Sequence, residues 1–205
     1  MPLVPVVVHD QNRLMMAVGE ALAVWTKVEL GISLLFTIVS QIPVRARSGA
    51  IFDAIVSFEG RMDICDRLMA LEVTDELETE MWKRMSARIR KFHKKRHEIA
   101  HFNILAIAGT KTIGLPHIAP FFTYEKWLNE QVNTLSESQV NERKAKFRDI
   151  AEGIWWFTQR AAERAQPEEY PMQENEQPPP LVVHIRALAD RILEERKQPH
   201  PPKQG

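Results

Sequence analysis

Apolar residues return every third or fourth position through long stretches of this 205-residue chain, and no run of strict alternation is long enough to build a sheet. Amphipathic helices are what bury such a pattern, so the expected fold class is all-α. The first helix is expected from about Asn12 to Ser40, with Val18, Leu22, Trp25, Ile32, Phe36 and Val39 stepping by four and three. One member of that series is missing, and Glu29 stands in its place.

A loop over Gln41 to Gly49, marked by Pro43, leads to a second expected helix from Ala50 to Leu71. Its stripe is Ile51, Ile55, Phe58, Met62, Cys65 and Met69, which makes Cys65 a small core residue. A third helix opens at Thr74 or Asp75, where Glu76, Glu78 and Glu80 suit the positive helix end, and runs to Phe102 or beyond. Residues 104 to 124 contain Gly109, Gly114, Pro116 and Pro120, too many breaks for a long helix, and are expected to hold a short hairpin. Ser136-Glu137-Ser138-Gln139 has capping-box spacing and starts a helix to about Arg164, with Val140, Phe147, Ile150, Ile154, Trp155 and Phe157 apolar. The resulting plan is a helical domain over 12–165, a Pro-rich linker over 166–180, an amphipathic helix over 181–198 and a disordered tail over 199–205. Leu181, Ile185, Leu188 and Ile192 of the last helix need a surface, either this domain or a second copy of it.

Lys plus Arg equals Asp plus Glu at 27 each, so attraction to a polyanion must come from local clustering. The single cysteine excludes an internal disulfide framework and fits a reducing compartment. Met1 to Val8 lacks the basic lead of a secretory signal, and Ala21 to Val39, though apolar, carries Lys27 and Glu29 near its middle. A cytoplasmic protein without a membrane partner is expected.

One run carries the chemistry. Lys94-Lys95-Arg96-His97-Glu98-Ile99-Ala100-His101-Phe102-Asn103 reads both as Arg, four residues, His, and as His-Glu-x-x-His. The first pattern suits RNA cleavage without a metal, the second a zinc hydrolase. On an ideal wheel Met85, Ile89, Phe92, Ile99 and Asn103 share a face, and Arg96 falls within it. A guanidinium there needs a carboxylate, and Glu29 is the natural candidate. His93, His97 and His101 lie on the other side, among Lys83, Arg90 and Lys94. Between Met81 and His97 eight Lys or Arg residues occur with no Asp or Glu, a patch suited to phosphates. Expected RNA-binding positions are therefore Lys83, Arg90, Lys94, Lys95 and Asn103.

Arg96-His97-Glu98-Ile99-Ala100-His101 resembles the motif of the HEPN family (higher eukaryotes and prokaryotes nucleotide-binding), in which Arg is followed by a polar residue, three more positions and His. Trp25-Thr26-Lys27-Val28-Glu29-Leu30 resembles the family's opening helix with its acidic position. The resemblance implies a four- or five-helix bundle, here with an irregular insertion and an appended C-terminal helix, that forms a homodimer and brings two Arg–His sets to one cleft. It also implies a metal-independent endoribonuclease, with His101 as acid or base, Arg96 as charge stabiliser, and His97 and Glu29 as orienting groups. No cofactor is implied.

The zinc reading would use His97 and His101 as ligands and Glu98 as base. Lys95 and Arg96 would oppose a dication, Ile104 and Ile107 stand where the extended metzincin motif needs Gly and His, and Glu125 or Glu130 would have to supply the third ligand. A third reading is a HEPN-like module that only binds a nucleotide, nucleic acid or protein.

Overall fold

The computed structural model describes residues 8–106, 116–120, 134–166, 168 and 177–197. Among these residues six helices dominate: α1 (Val8–Val39), α2 (Arg45–Ala54), α3 (Phe58–Glu72), α4 (Glu76–His101), α5 (Glu137–Ala165) and α6 (Pro180–Lys197). The only sheet among them is an antiparallel ribbon of β1 (Phe102–Ala106) and β2 (Pro116–Pro120), in the register Phe102↔Pro120, Ile104↔Ile118, Ala106↔Pro116. The all-α class therefore holds. The expected hairpin is present and starts as soon as α4 ends. The tail at 199–205 and most of the expected linker lie outside the described residues.

The chain divides into two compact units, one of residues 1–27 and 91–148, the other of 28–90 and 149–205. Helices α1, α4 and α5 contribute residues to both.

In the first unit the core gathers Leu14, Ala17, Ala21 and Trp25 from α1, Ile99 from α4, and Val140 and Phe147 from α5. Trp25 lies edge-on to Phe147 at 5.0 Å between centroids, and Phe92 meets the same ring at 6.2 Å. Helix α5 begins as its sequence requires. The Ser136 backbone N–H donates to Gln139 Oε1 at 2.8 Å, and the Gln139 N–H donates to Ser136 Oγ at 3.3 Å. Just before it, Leu135 pairs with Ile118 through N–H to O bonds of 2.8 and 2.9 Å, which ties β2 to the start of α5.

In the second unit the expected helix from Ala50 to Leu71 is two helices. Helix α2 already starts at Arg45, within the expected loop, and ends at Ala54; α3 starts at Phe58. Ser57 makes the break: its Oγ accepts the Gly60 N–H at 3.0 Å as a cap, while Arg61 Nε donates to the Ile55 carbonyl at 2.8 Å. The stripe through Met62, Cys65 and Met69 is buried as expected, but Ile51 is exposed. Burial pushes the Cys65 thiol up to about 12, with the Asp66 charge adding to it, so it behaves as a small core hydrophobe.

Helix α4 is capped by Asp75, whose Oδ1 accepts the Glu78 N–H at 2.7 Å. Helix α6 buries Leu181, Val182, Ile185 and Ala189 within this unit, and Arg196 donates to Glu80 at 3.2 Å. Its apolar face is thus covered by its own chain.

Along α1 the buried line runs Leu14, Ala17, Ala21, Trp25, Val28, Ile32, Leu35 and Val39. Val28 continues that buried line, and Glu29 stands half-buried beside it. Within the second unit α1 and α5 approach closely at Gly31, where a Cβ would lie 2.6 Å from Ile154 Cγ2. Gly31→Ala should therefore destabilise by about 1–3 kcal/mol despite the better helix propensity of Ala. Gly49→Ala, where a Cβ meets nothing within 4 Å, should instead stabilise by up to about 1 kcal/mol. Urea unfolding of both variants checks the pair, and Gly31→Ala matching or exceeding the wild type would contradict the close approach.

Candidate functional site

The C-terminal turns of α4, within the first unit, hold the motif residues. Ile99 is buried, and Trp25 on α1 packs at 6.1 Å from the His93 ring, so one side of this segment is fixed to the core. The opposite side faces solvent. His97 and His101, one turn apart, are both exposed, with ring centroids 4.1 Å apart. Lys94, also exposed, precedes them on the same face.

Arg96 does not join them. It is half-buried on the side of Phe92 and Ile99, and among the described residues its Nε has no hydrogen-bond partner. Because α4 stays helical through His101, the two side chains leave the axis about 140° apart. No unwinding brings them together on one chain.

Glu98 is held by two cations. Arg143 Nη1 donates to its Oε2 at 2.7 Å, and Lys95 Nζ to its Oε1 at 3.0 Å; the same Arg143 nitrogen reaches the Lys95 carbonyl at 3.3 Å. Burial works against ionisation of this carboxyl, but the bonds and charges of Lys95 and Arg143 outweigh it and hold Glu98 below the ordinary glutamate value. Arg143 belongs to the site region although it lies far from the motif in sequence. Nothing in the local spacing marks it, since only the packing of α5 brings it to α4.

The remaining expected residues are dispersed. Arg90 falls in the second unit, where it is bound to three carboxylates of α3: Asp63 and Asp66 at 2.8 Å each, and Glu59. Its charge is thereby matched, and it has no surplus for a phosphate. Lys83, also in the second unit, is exposed beside a surface cavity of about 330 Å³ lined with Asp66, Trp82 and Thr79. Glu29 belongs to that unit as well, and Asn103 sits in β1 opposite Ala119. Lys95 is engaged with Glu98. The residues brought together are thus Lys94, His97 and His101.

For the zinc reading, Glu98 is drawn to Lys95 and Arg143, a poor arrangement for polarising a metal-bound water. No group of three His, Cys, Asp or Glu converges on a metal position among the described residues, and Glu125 and Glu130 lie outside them.

No family model, curated protein or solved structure matches this chain.

Because the folded-state value of Glu98 is depressed, its ionic contacts add stability above the unfolded-state value near 4.5, and that stability is lost as pH falls through the folded-state value. Glu98→Gln should therefore be less stable than wild type at pH 7 and lose less on acidification below pH 4.5. Denaturant unfolding across that range measures this, and parallel pH profiles for the two proteins would show that the clamp does not form.

Proposed function

We propose that this chain is a HEPN-like, RNA-binding protein of the cytoplasm that acts as a metal-independent endoribonuclease, with a site completed by a second copy in a homodimer. The observation that carries the reading is the exposed His97–His101 pair, 4.1 Å apart, with Lys94 on the same face. Two solvent-accessible imidazoles are what strand scission by the ribose 2′-hydroxyl requires. One takes the proton of the 2′-OH as O2′ bonds to phosphorus; the other gives a proton to O5′ as the P–O5′ bond breaks. The products are a 2′,3′-cyclic phosphate and a 5′-hydroxyl. Lys94, exposed on the same face, would act as a point charge for the phosphate.

The second copy is invoked for a geometric reason. An Arg96 about 140° from its own His101 does not share a phosphate with it on one helix, so a site that uses both draws them from two chains. The acidic position at Glu29 supports the resemblance in sequence.

The test is to incubate purified protein with mixed RNA, with and without chelator, and to analyse the ends. Cleavage that survives chelation and leaves cyclic phosphate ends is expected. His101→Ala should slow it by about 10²-fold or more, the usual worth of a proton-transfer group, whereas Glu98→Gln should change it little. Activity removed by chelator and restored by zinc would transfer the reading to a hydrolase. RNA bound but left uncut would make this a binding module.

A further inference from the structure

The cavity of about 330 Å³ between α3 and α4 has no part in the nuclease reading, and all its lining residues belong to the second unit. Met69, Val73 and Trp82 are buried and form its floor; Ala70 and Ala87, both exposed, stand at its mouth. The interior is thus apolar, and two methyl side chains leave it open. Most of its polar groups are already committed. Thr79 Oγ1 donates to the Asp75 carbonyl at 2.8 Å, Ser86 and Trp82 donate to Asp66, and Arg90 is held by its three carboxylates. Lys83 is the exception. It lines the cavity, is exposed, and makes no hydrogen bond or ion pair among the described residues.

We propose that this cavity binds a small monocarboxylate with an apolar alkyl or aryl body, the body lying over Met69, Val73 and Trp82 and the carboxylate accepting from Lys83 Nζ. The site is separate from the nuclease reading and stands or falls without it. Charge decides the class of ligand. Lys83 and Arg90 against Asp66 leave the lining a single positive charge in excess. Glu59 and Asp63, which hold Arg90, stand next to it and would oppose a dianion such as a phosphate monoester, or the repeated charges of a nucleic acid. A neutral body of the same size gains nothing from Lys83, and an amine would meet it with like charge. Nor does Asp66 attract a cation, because Trp82, Ser86 and Arg90 occupy its lone pairs. Those same bonds fix the wall of α4 on α3, so the cavity is formed before a ligand enters, and its volume falls within the range of small-molecule sites.

Calorimetric titration of the full chain with sodium octanoate should give a dissociation constant of about 1 mM or below, with octan-1-ol weaker, octylamine weaker still, and acetate not detectably bound. The indole N–H resonance of Trp82, assigned through Trp82→Phe, should shift during the titration. Lys83→Gln should weaken octanoate binding about three- to fivefold, the worth of an exposed ion pair, while Lys83→Arg retains it. Lys83→Glu should reverse the order, with octylamine bound better than octanoate. Ala87→Trp and, from the other helix, Ala70→Trp fill the mouth from exposed positions, and each should abolish binding with the melting temperature unchanged. Octanoate that fails to bind in the millimolar range, octylamine bound by the wild type as tightly as octanoate, or octanoate binding indifferent to both Trp variants would each overturn the proposal. So would acetate or inorganic phosphate bound as tightly as octanoate, since Lys83 would then act without the apolar floor.

Discussion

In the second unit most of the polar order depends on one carboxylate. Asp66 Oδ1 accepts the Trp82 indole N–H at 2.9 Å, while Oδ2 takes Ser86 Oγ at 3.0 Å and Arg90 Nη2 at 2.8 Å. Three donors on successive turns of α4 thus converge on one residue of α3. Desolvating a carboxylate is costly unless its lone pairs are occupied, and here they are. Arg90 closes the set by collecting Asp63 and Glu59 as well, and these bonds raise the affinity of its guanidinium for its proton even though burial opposes them. The arrangement locks the ring of Trp82 against Phe157 at 5.4 Å and so fixes α4 to its neighbours.

That network also decides how the basic run of α4 is divided. Eight cations in sequence suggest a continuous positive face, yet Arg90 is matched by α3, Arg84 by Glu80 at 3.1 Å, and Lys95 by Glu98. Of that run, the cations exposed in the first unit are Lys91 and Lys94, in a short line continued by His97 and His101. A small, localised positive surface next to exposed imidazoles suits contact with one or two phosphates better than a long track along a nucleic acid.

The helices were legible because their ends carry local chemistry. Asp75 and the Ser136–Gln139 pair perform the capping that their spacing announced. The break between α2 and α3 was hidden because the apolar spacing runs through it from Ile51 to Met69 without Pro, and the one glycine, Gly60, falls after the break; the available signal was Ser57 after the β-branched pair Ile55-Val56. The place of Val28 in the buried line was hidden for a related reason. With Val28 and Glu29 adjacent, a 3–4 pattern can be continued through either, and only packing chooses. The commitment of Arg90 had a visible trace, since Glu59, Asp63 and Asp66 step by four and three and so line one face of α3. The grip of Arg143 on Glu98 had none, because it arises from two helices distant in sequence.

The placement of the indoles has an optical consequence. Trp25 is sealed in the first unit beside an imidazole and a phenyl ring, whereas Trp82 is sealed in the second with its N–H on a carboxylate. Each unit therefore carries its own interior fluorophore, in surroundings that tune emission differently, and Trp155 adds a half-exposed one. Phe replacements that leave one interior indole at a time would let the loosening of either unit be followed by its own light.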